Sequence, residues 1–271
     1  MLLRLVLALV LLSAPALAAD ALTVKRDVAY GVNAAQAMDI YLPQNPVNAP
    51  VILMVHGGGW RHGDKTHSNV TTPKAAHYTG LGYIFISTNY RMLPEADVGQ
   101  QALDVATALA YVQTHAADWG GNPAKIILMG HSAGGHLAAL LTASTALQTA
   151  AKARPAQALI SLDSAGYNIP AMMRMPHLGL YDDAFGGHED KWKDWSPMHQ
   201  LSGVTPPMLL VCSTQRFTPC GYAERFAERA NKLGGKASVL LQDKTHAEIN
   251  FMLGADNAYT KDVDAFLKTL N

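Results

Sequence analysis

Six short apolar runs, at residues 51–55, 83–87, 125–129, 158–162, 208–211 and 238–241, limit what this chain can fold into. Continuous apolar runs of this length, rich in β-branched residues, suit strands buried on both faces. Between them, residues 101–115 and 221–233 carry apolar side chains at helical spacing. Strands alternating with helices build a mostly parallel sheet flanked by helices, so the fold class is α/β. Two earlier strands are expected at 22–28 and 37–41. No repeat, low-complexity tract or long linker interrupts the 271 residues, which suit one large α/β domain.

Residues 167–203 break the alternation. This stretch is rich in methionine, aromatics and histidine and is interrupted by Pro170, Pro176 and Pro197. A connection of such length is usually functional or disordered, and the aromatic content argues against disorder. It is expected to form a small cap over the active-site end of the sheet.

The chain starts with a pattern of export. Arg4 supplies a positive start, residues 5–12 an apolar core, and Ala16-Leu17-Ala18 a small-residue cleavage site. The apolar run is too short for a membrane span and is broken by Ser13 and Pro15. Residues 1–18 are therefore expected to be a signal peptide and 19–271 the mature, secreted or periplasmic protein. In an oxidising compartment Cys212 and Cys220 are expected to form a disulfide. Two cysteines without a nearby histidine pair make no zinc site. Lysine plus arginine and aspartate plus glutamate both total 21, a balance with no field suited to nucleic acid or an anionic membrane surface. Neither a nucleic-acid partner nor stable membrane insertion is expected.

The chemistry enters after the third run. Gly130-His131-Ser132-Ala133-Gly134 follows an apolar strand and precedes an alanine- and leucine-rich helix. G-x-S-x-G in that setting is a sharp turn that presents a nucleophilic serine, Ser132, with glycines where side chains would collide. Upstream, His56-Gly57-Gly58-Gly59-Trp60 follows a buried strand. Consecutive glycines there leave backbone N–H groups open to a ligand, and Gly58, Gly59 and Ala133 are the candidate donors to an oxyanion. Neither G-x-x-x-x-G-K-[ST] nor G-x-G-x-x-G, the phosphate-binding alternatives, is present.

These residues resemble the esterase/lipase branch of the α/β-hydrolases, which includes hormone-sensitive-lipase-like esterases, arylformamidases and bacterial feruloyl or acetyl esterases. The likeness also takes in Gly63-Asp64-Lys65, Asn89-Tyr90-Arg91, Asp104 and Gly120-Gly121-Asn122-Pro123, with asparagine where aspartate is more usual. It runs over nearly all of the mature chain. The resemblance implies an α/β-hydrolase fold, an oxyanion hole at Gly58, Gly59 and Ala133, and no metal or organic cofactor.

In this fold the triad runs serine, acid, histidine along the chain. His246, just after the last strand, is the expected base, and the resemblance puts the catalytic histidine there too. The acid departs from the pattern. Family members place a carboxylate after the strand at 208–212, but here Ser213-Thr214-Gln215-Arg216-Phe217-Thr218-Pro219-Cys220 follows. Asp163, after the preceding strand, is the favoured replacement. Asp243, Glu224, or a serine–histidine dyad steadied by a carbonyl or Thr218 are alternatives. The alternative for Asp163 is a strand-end aspartate that caps the Ser164-Ala165-Gly166 turn. His56 is expected to support the glycine loop, and Trp60, Met172, Met173, Met175 and Tyr181 to line a pocket. The expected reaction is hydrolysis of small carboxylic esters, short-chain, aryl or sugar-linked, through an acyl-enzyme. An aryl-formamide substrate, or a binding protein that kept the fold, are the alternatives.

Overall fold

The computed structural model describes residues 22–270, so the expected signal segment lies outside them. Eight strands form one sheet: β1 (Thr23–Ala29), β2 (Ala37–Leu42), β3 (Ala49–Val55), β4 (Ile84–Thr88), β5 (Gly121–His131), β6 (Ala158–Leu162), β7 (Met208–Ser213) and β8 (Ala237–Gln242). Their order is β1-β2-β4-β3-β5-β6-β7-β8. β2 is antiparallel to both neighbours, and every other pair is parallel. All six apolar runs are strands. The run at 238–241 differs in one respect: β8 is a sheet edge and only partly buried, with Leu241 half exposed.

Among the described residues ten α-helices accompany the sheet: α1 (Ser68–Gly80), α2 (Val98–His115), α3 (Ala133–Ala143), α4 (Thr145–Ala151), α5 (Ile169–Met173), α6 (Gly179–Tyr181), α7 (Pro197–Gln200), α8 (Pro219–Lys232), α9 (His246–Phe251) and α10 (Ala258–Lys268). Alternate strand residues feed two cores, as the period-two pleat requires. Val51, Leu53 and Val55 of β3 pack with α2, α3 and α8, whereas Ile52 and Met54 pack with α1, α9 and α10. Asp97 and Gln100 close a capping box at the start of α2, which places that helix firmly in sequence. Residues 167–203 contain α5 to α7 and short irregular turns, and bury Phe185, Trp195 and Tyr181. Among the described residues, no helix is long and apolar enough to cross a membrane.

This is the α/β-hydrolase fold that the resemblance implied. Its parallel strands all end on one edge, and β3, β5, β6, β7 and β8 are consecutive there. The loops leaving those ends therefore meet, which is where open α/β sheets hold their ligands.

Candidate active site

Ser132 is the single residue between β5 and α3. Its φ of 56° lies in the left-handed region, which costs a non-glycine residue roughly 1–3 kcal/mol. The surroundings impose it. Ser132 N–H donates to the Leu162 carbonyl (2.9 Å), and its own carbonyl accepts from His136 N–H to begin α3. The flanking glycines are required by contact: a Cβ on Gly130 would come 2.3 Å from the Gly134 carbonyl oxygen, and one on Gly134 would come 2.2 Å from that of Val55.

The glycine loop lies against this turn, since a Cβ on Gly57 would stand 3.0 Å from Ser132 Cβ. His56 supports the loop, as expected. Its Nδ1 is 2.8 Å from the Gly57 carbonyl oxygen, its ring stacks on Tyr90, and its carbonyl accepts from the Tyr90 hydroxyl. The Gly58 carbonyl accepts from Arg61 and His62 N–H, which curls the loop back. Among the described residues, the amides of Gly58, Gly59 and Ala133 make no turn or loop bond to another backbone carbonyl. The other resembling residues brace the loop from behind. Lys65 Nζ bonds Asp39 and Asp27, Lys65 N–H donates to Asn89 Oδ1, and Arg91 grips Asp104 through two nitrogens.

Trp60 is placed otherwise than expected. It is 3% exposed, its Nε1 donates to His136 Nδ1 (3.1 Å), and its ring meets Tyr181 and Phe185. It joins the glycine loop to residues 181–185 as a packing residue. Burial holds His136 near 4 and His131 near 3, so both rings are neutral at ordinary pH.

His246 is the first residue of α9, fixed by a capping box between Thr245 and Glu248. Its Nδ1 lies 2.6 Å from Asp163 Oδ2. Asp163 follows β6 with φ 50° and is fully buried. Ser213 N–H donates to its Oδ1 (2.9 Å) and Arg216 Nη1 to its Oδ2 (2.7 Å). Burial alone would raise the Asp163 pKa, but His246, Arg216 and the Ser213 amide outweigh it and hold the carboxyl below the ordinary aspartate value. The rival acids are elsewhere: Asp243 bonds Gln215, and Glu224 is exposed on α8. His131, next to Ser132, packs its ring 4.5 Å from that of His246 and meets the His246 carbonyl through Nε2 (3.0 Å). Among the described residues, no hydrogen bond joins the Ser132 and His246 side chains, a looseness common before substrate binds.

Beside this cluster is an open cavity of about 330 Å³ walled by Met172, Met175, Leu178, Tyr181, Arg216 and Tyr222. Met172, Met175 and Tyr181 were expected here, whereas Met173 is largely buried in the core. Arg216 was not expected. A lone arginine between threonine, glutamine and phenylalanine reads as a solvated loop residue, and no spacing rule points it at a buried aspartate.

The sequence model of the BD-FAE family matches residues 38–216, more than half of the chain. The chain belongs to the BD-FAE family. The matched region of this BD-FAE protein holds the glycine loop, Ser132 and Asp163 and ends at Arg216; His246 lies beyond it. It is 28% identical to a probable isoprenylcysteine alpha-carbonyl methylesterase of Arabidopsis thaliana, over 83% of this chain and 51% of that protein. Esterase LipQ of Mycobacterium tuberculosis is 30% identical over 76% of this chain and 51% of its own length. This BD-FAE chain thus spans about half the length of the curated relatives it matches. Among solved structures, apo Thermogutta terrifontis esterase 2 superposes with TM-score 0.72 at 25% identity, covering 92% of this chain and 93% of that one. A truncated carbohydrate esterase from gut microbiota shares the fold at TM-score 0.74 and 20% identity, covering 92% and 96%.

Proposed function

We propose that this protein is a serine hydrolase of small carboxylic esters, acting through an acyl-enzyme on Ser132. The observation that carries the reading is the 2.6 Å contact between His246 Nδ1 and Asp163 Oδ2, beside a serine held at positive φ between β5 and α3. An ionised Asp163 takes the Nδ1 proton as a hydrogen bond, which leaves the Nε2 lone pair to accept the proton of Ser132 Oγ. Ser132 Oγ then bonds to the acyl carbon. The amides of Gly58, Gly59 and Ala133 stabilise the oxyanion, and His246 passes the proton to the leaving alcohol. Water, activated by the same imidazole, releases the acid and regenerates Ser132. The names of the relatives, methylesterase and esterase, support this reaction class.

In this reading residues 167–203 are the cap of a single domain spanning 19–271, and the cavity beside Arg216 takes one arm of the ester. Met172, Met175, Leu178 and the rings of Tyr181 and Tyr222 favour an apolar acyl or alcohol group, while Arg216, the charged group in the wall, is turned onto Asp163. The Sγ atoms of Cys212 and Cys220 lie 2.10 Å apart, which supports the disulfide and, with it, an exported protein. The test is hydrolysis of p-nitrophenyl acetate and butyrate. The wild-type protein is expected to turn both over and Ser132→Ala to fall to the uncatalysed rate; equal rates for the two would refute the reading.

A further inference from the structure

The loop after β7 lacks a carboxylate at the place where the resembling enzymes carry their acid, yet it still reaches the catalytic cluster through Arg216. Arg216 Nη1 lies 2.7 Å from Asp163 Oδ2, 3.2 Å from the Asp163 carbonyl oxygen and 3.0 Å from His246 Nδ1. The three cannot all be hydrogen bonds when Nδ1 carries its proton, because two donors would then face each other. The contact at 2.6 Å between His246 Nδ1 and an ionised carboxylate is charge-assisted, about twice as strong as a neutral bond, so it decides the tautomer. Arg216 then spends its Nη1 protons on the two Asp163 oxygens.

We propose that Arg216 is the positioning residue of the Asp163–His246 pair: one guanidinium clamps both the side chain and the backbone of the acid. This inference rests on the esterase reading above. Asp163 sits at φ 50°, a left-handed conformation that aspartate adopts when local hydrogen bonds hold its side chain. The support comes from the β7 loop twice over, through Ser213 N–H on Oδ1 and Arg216 on Oδ2 and the carbonyl. The loop itself is anchored. Ser213 Oγ donates to the Lys244 carbonyl, Thr214 N–H to that of Gln242, and Gln215 Nε2 to Asp243. The paired sulfurs of Cys212 and Cys220 bracket it. Arg216 is a quarter exposed while the next residue, Phe217, is fully exposed, so the loop tip turns its arginine inward. A loop that elsewhere supplies the acid here supplies a cation that holds an acid borrowed from the neighbouring strand.

The test compares wild type, Arg216→Lys, Arg216→Gln and Arg216→Ala on p-nitrophenyl butyrate, with thermal melts of each. Loss of a hydrogen bond to a charged group should lower kcat by about 10- to 100-fold in Arg216→Ala, more than any rise in KM from its place in the cavity wall. Arg216→Lys should retain more activity than Arg216→Gln, and added methylguanidinium should restore part of the kcat of Arg216→Ala. Rescue of that kind is read from kcat even if the variant melts early, and a merely structural role would not give it. Unchanged or raised kcat in Arg216→Ala would overturn the proposal, as would a loss confined to KM or a loss that methylguanidinium leaves untouched. Wild-type protein inactive on the ester would instead sink the esterase reading, and this inference with it.

Discussion

Asp163 concentrates the chemistry of the site in one side chain. It is a buried aspartate with donors on both oxygens, and its carboxyl is held below the ordinary value despite burial. Replacing it with asparagine keeps the shape but lets the amide donate where only an acceptor serves, so His246 loses its orienting partner. A triad broken in this way loses about 10⁴ in kcat, and Asp163→Asn is expected to fall by that order on p-nitrophenyl butyrate. The same residue also contributes to stability in a pH-dependent way. Its contribution is fully present above the unfolded aspartate value of about 3.9 and is lost as pH falls through the lower folded value. Melting temperatures followed from pH 6 to pH 3 should therefore fall more steeply for wild type than for Asp163→Asn; parallel curves would contradict the assignment. The sequence pointed to Asp163 by elimination, because the usual position was empty. It could not point to Arg216, whose role depends on a long side chain folding inward from an exposed loop.

Elements differ in how well their residues announce them. β4, β6 and β7 are buried along their whole length, so their sequences are largely apolar, with only Ser87, Thr88, Ser161 and Ser213 as small buried hydroxyls. α8 carries one apolar stripe, with Tyr222, Ala223, Phe226 and Ala230 buried, and reads as a helix. α1 does not. It contains Pro73, and its buried face includes Thr71, Thr79 and Lys74, whose amino group is pushed down to about 7 by burial. Lys74 Nζ donates to the carbonyls of Asn69 and Asn250, so it ties α1 to α9, the helix that starts with His246. Such a face looks solvent-exposed in sequence because its polar groups are satisfied only in the fold. The β7–α8 connection carries a prediction of its own. Closing the short loop between Cys212 and Cys220 stabilises by about 2.5 kcal/mol on a chain-entropy account, or roughly 5–10 °C in Tm for a domain of this size. Reduction is expected to lower Tm by that amount and to expose both thiols to alkylation. Alkylation of both without reductant would rule the bridge out.

At the scale of the whole molecule, the sheet order does the assembling. Ser132, Asp163, Arg216 and His246 follow β5, β6, β7 and β8, four neighbours in order, with the glycine loop on β3 beside them. Chain order and the alternation of elements made that sheet readable from sequence, along with the strand ends that carry Ser132 and His246. Trp60 shows where reading by motif ends: its place beside the glycine loop suggested substrate contact, whereas the packing of residues 181–185 buries it. On the proposed reading, these converging loops make Ser132 alone a nucleophile. Intact-mass and peptide mass spectrometry after treatment with a fluorophosphonate ester tests it directly. One phosphonyl group per chain is expected, mapped to Ser132, and none on Ser132→Ala. An unmodified wild-type protein, or an adduct on another residue that survives in Ser132→Ala, would contradict it.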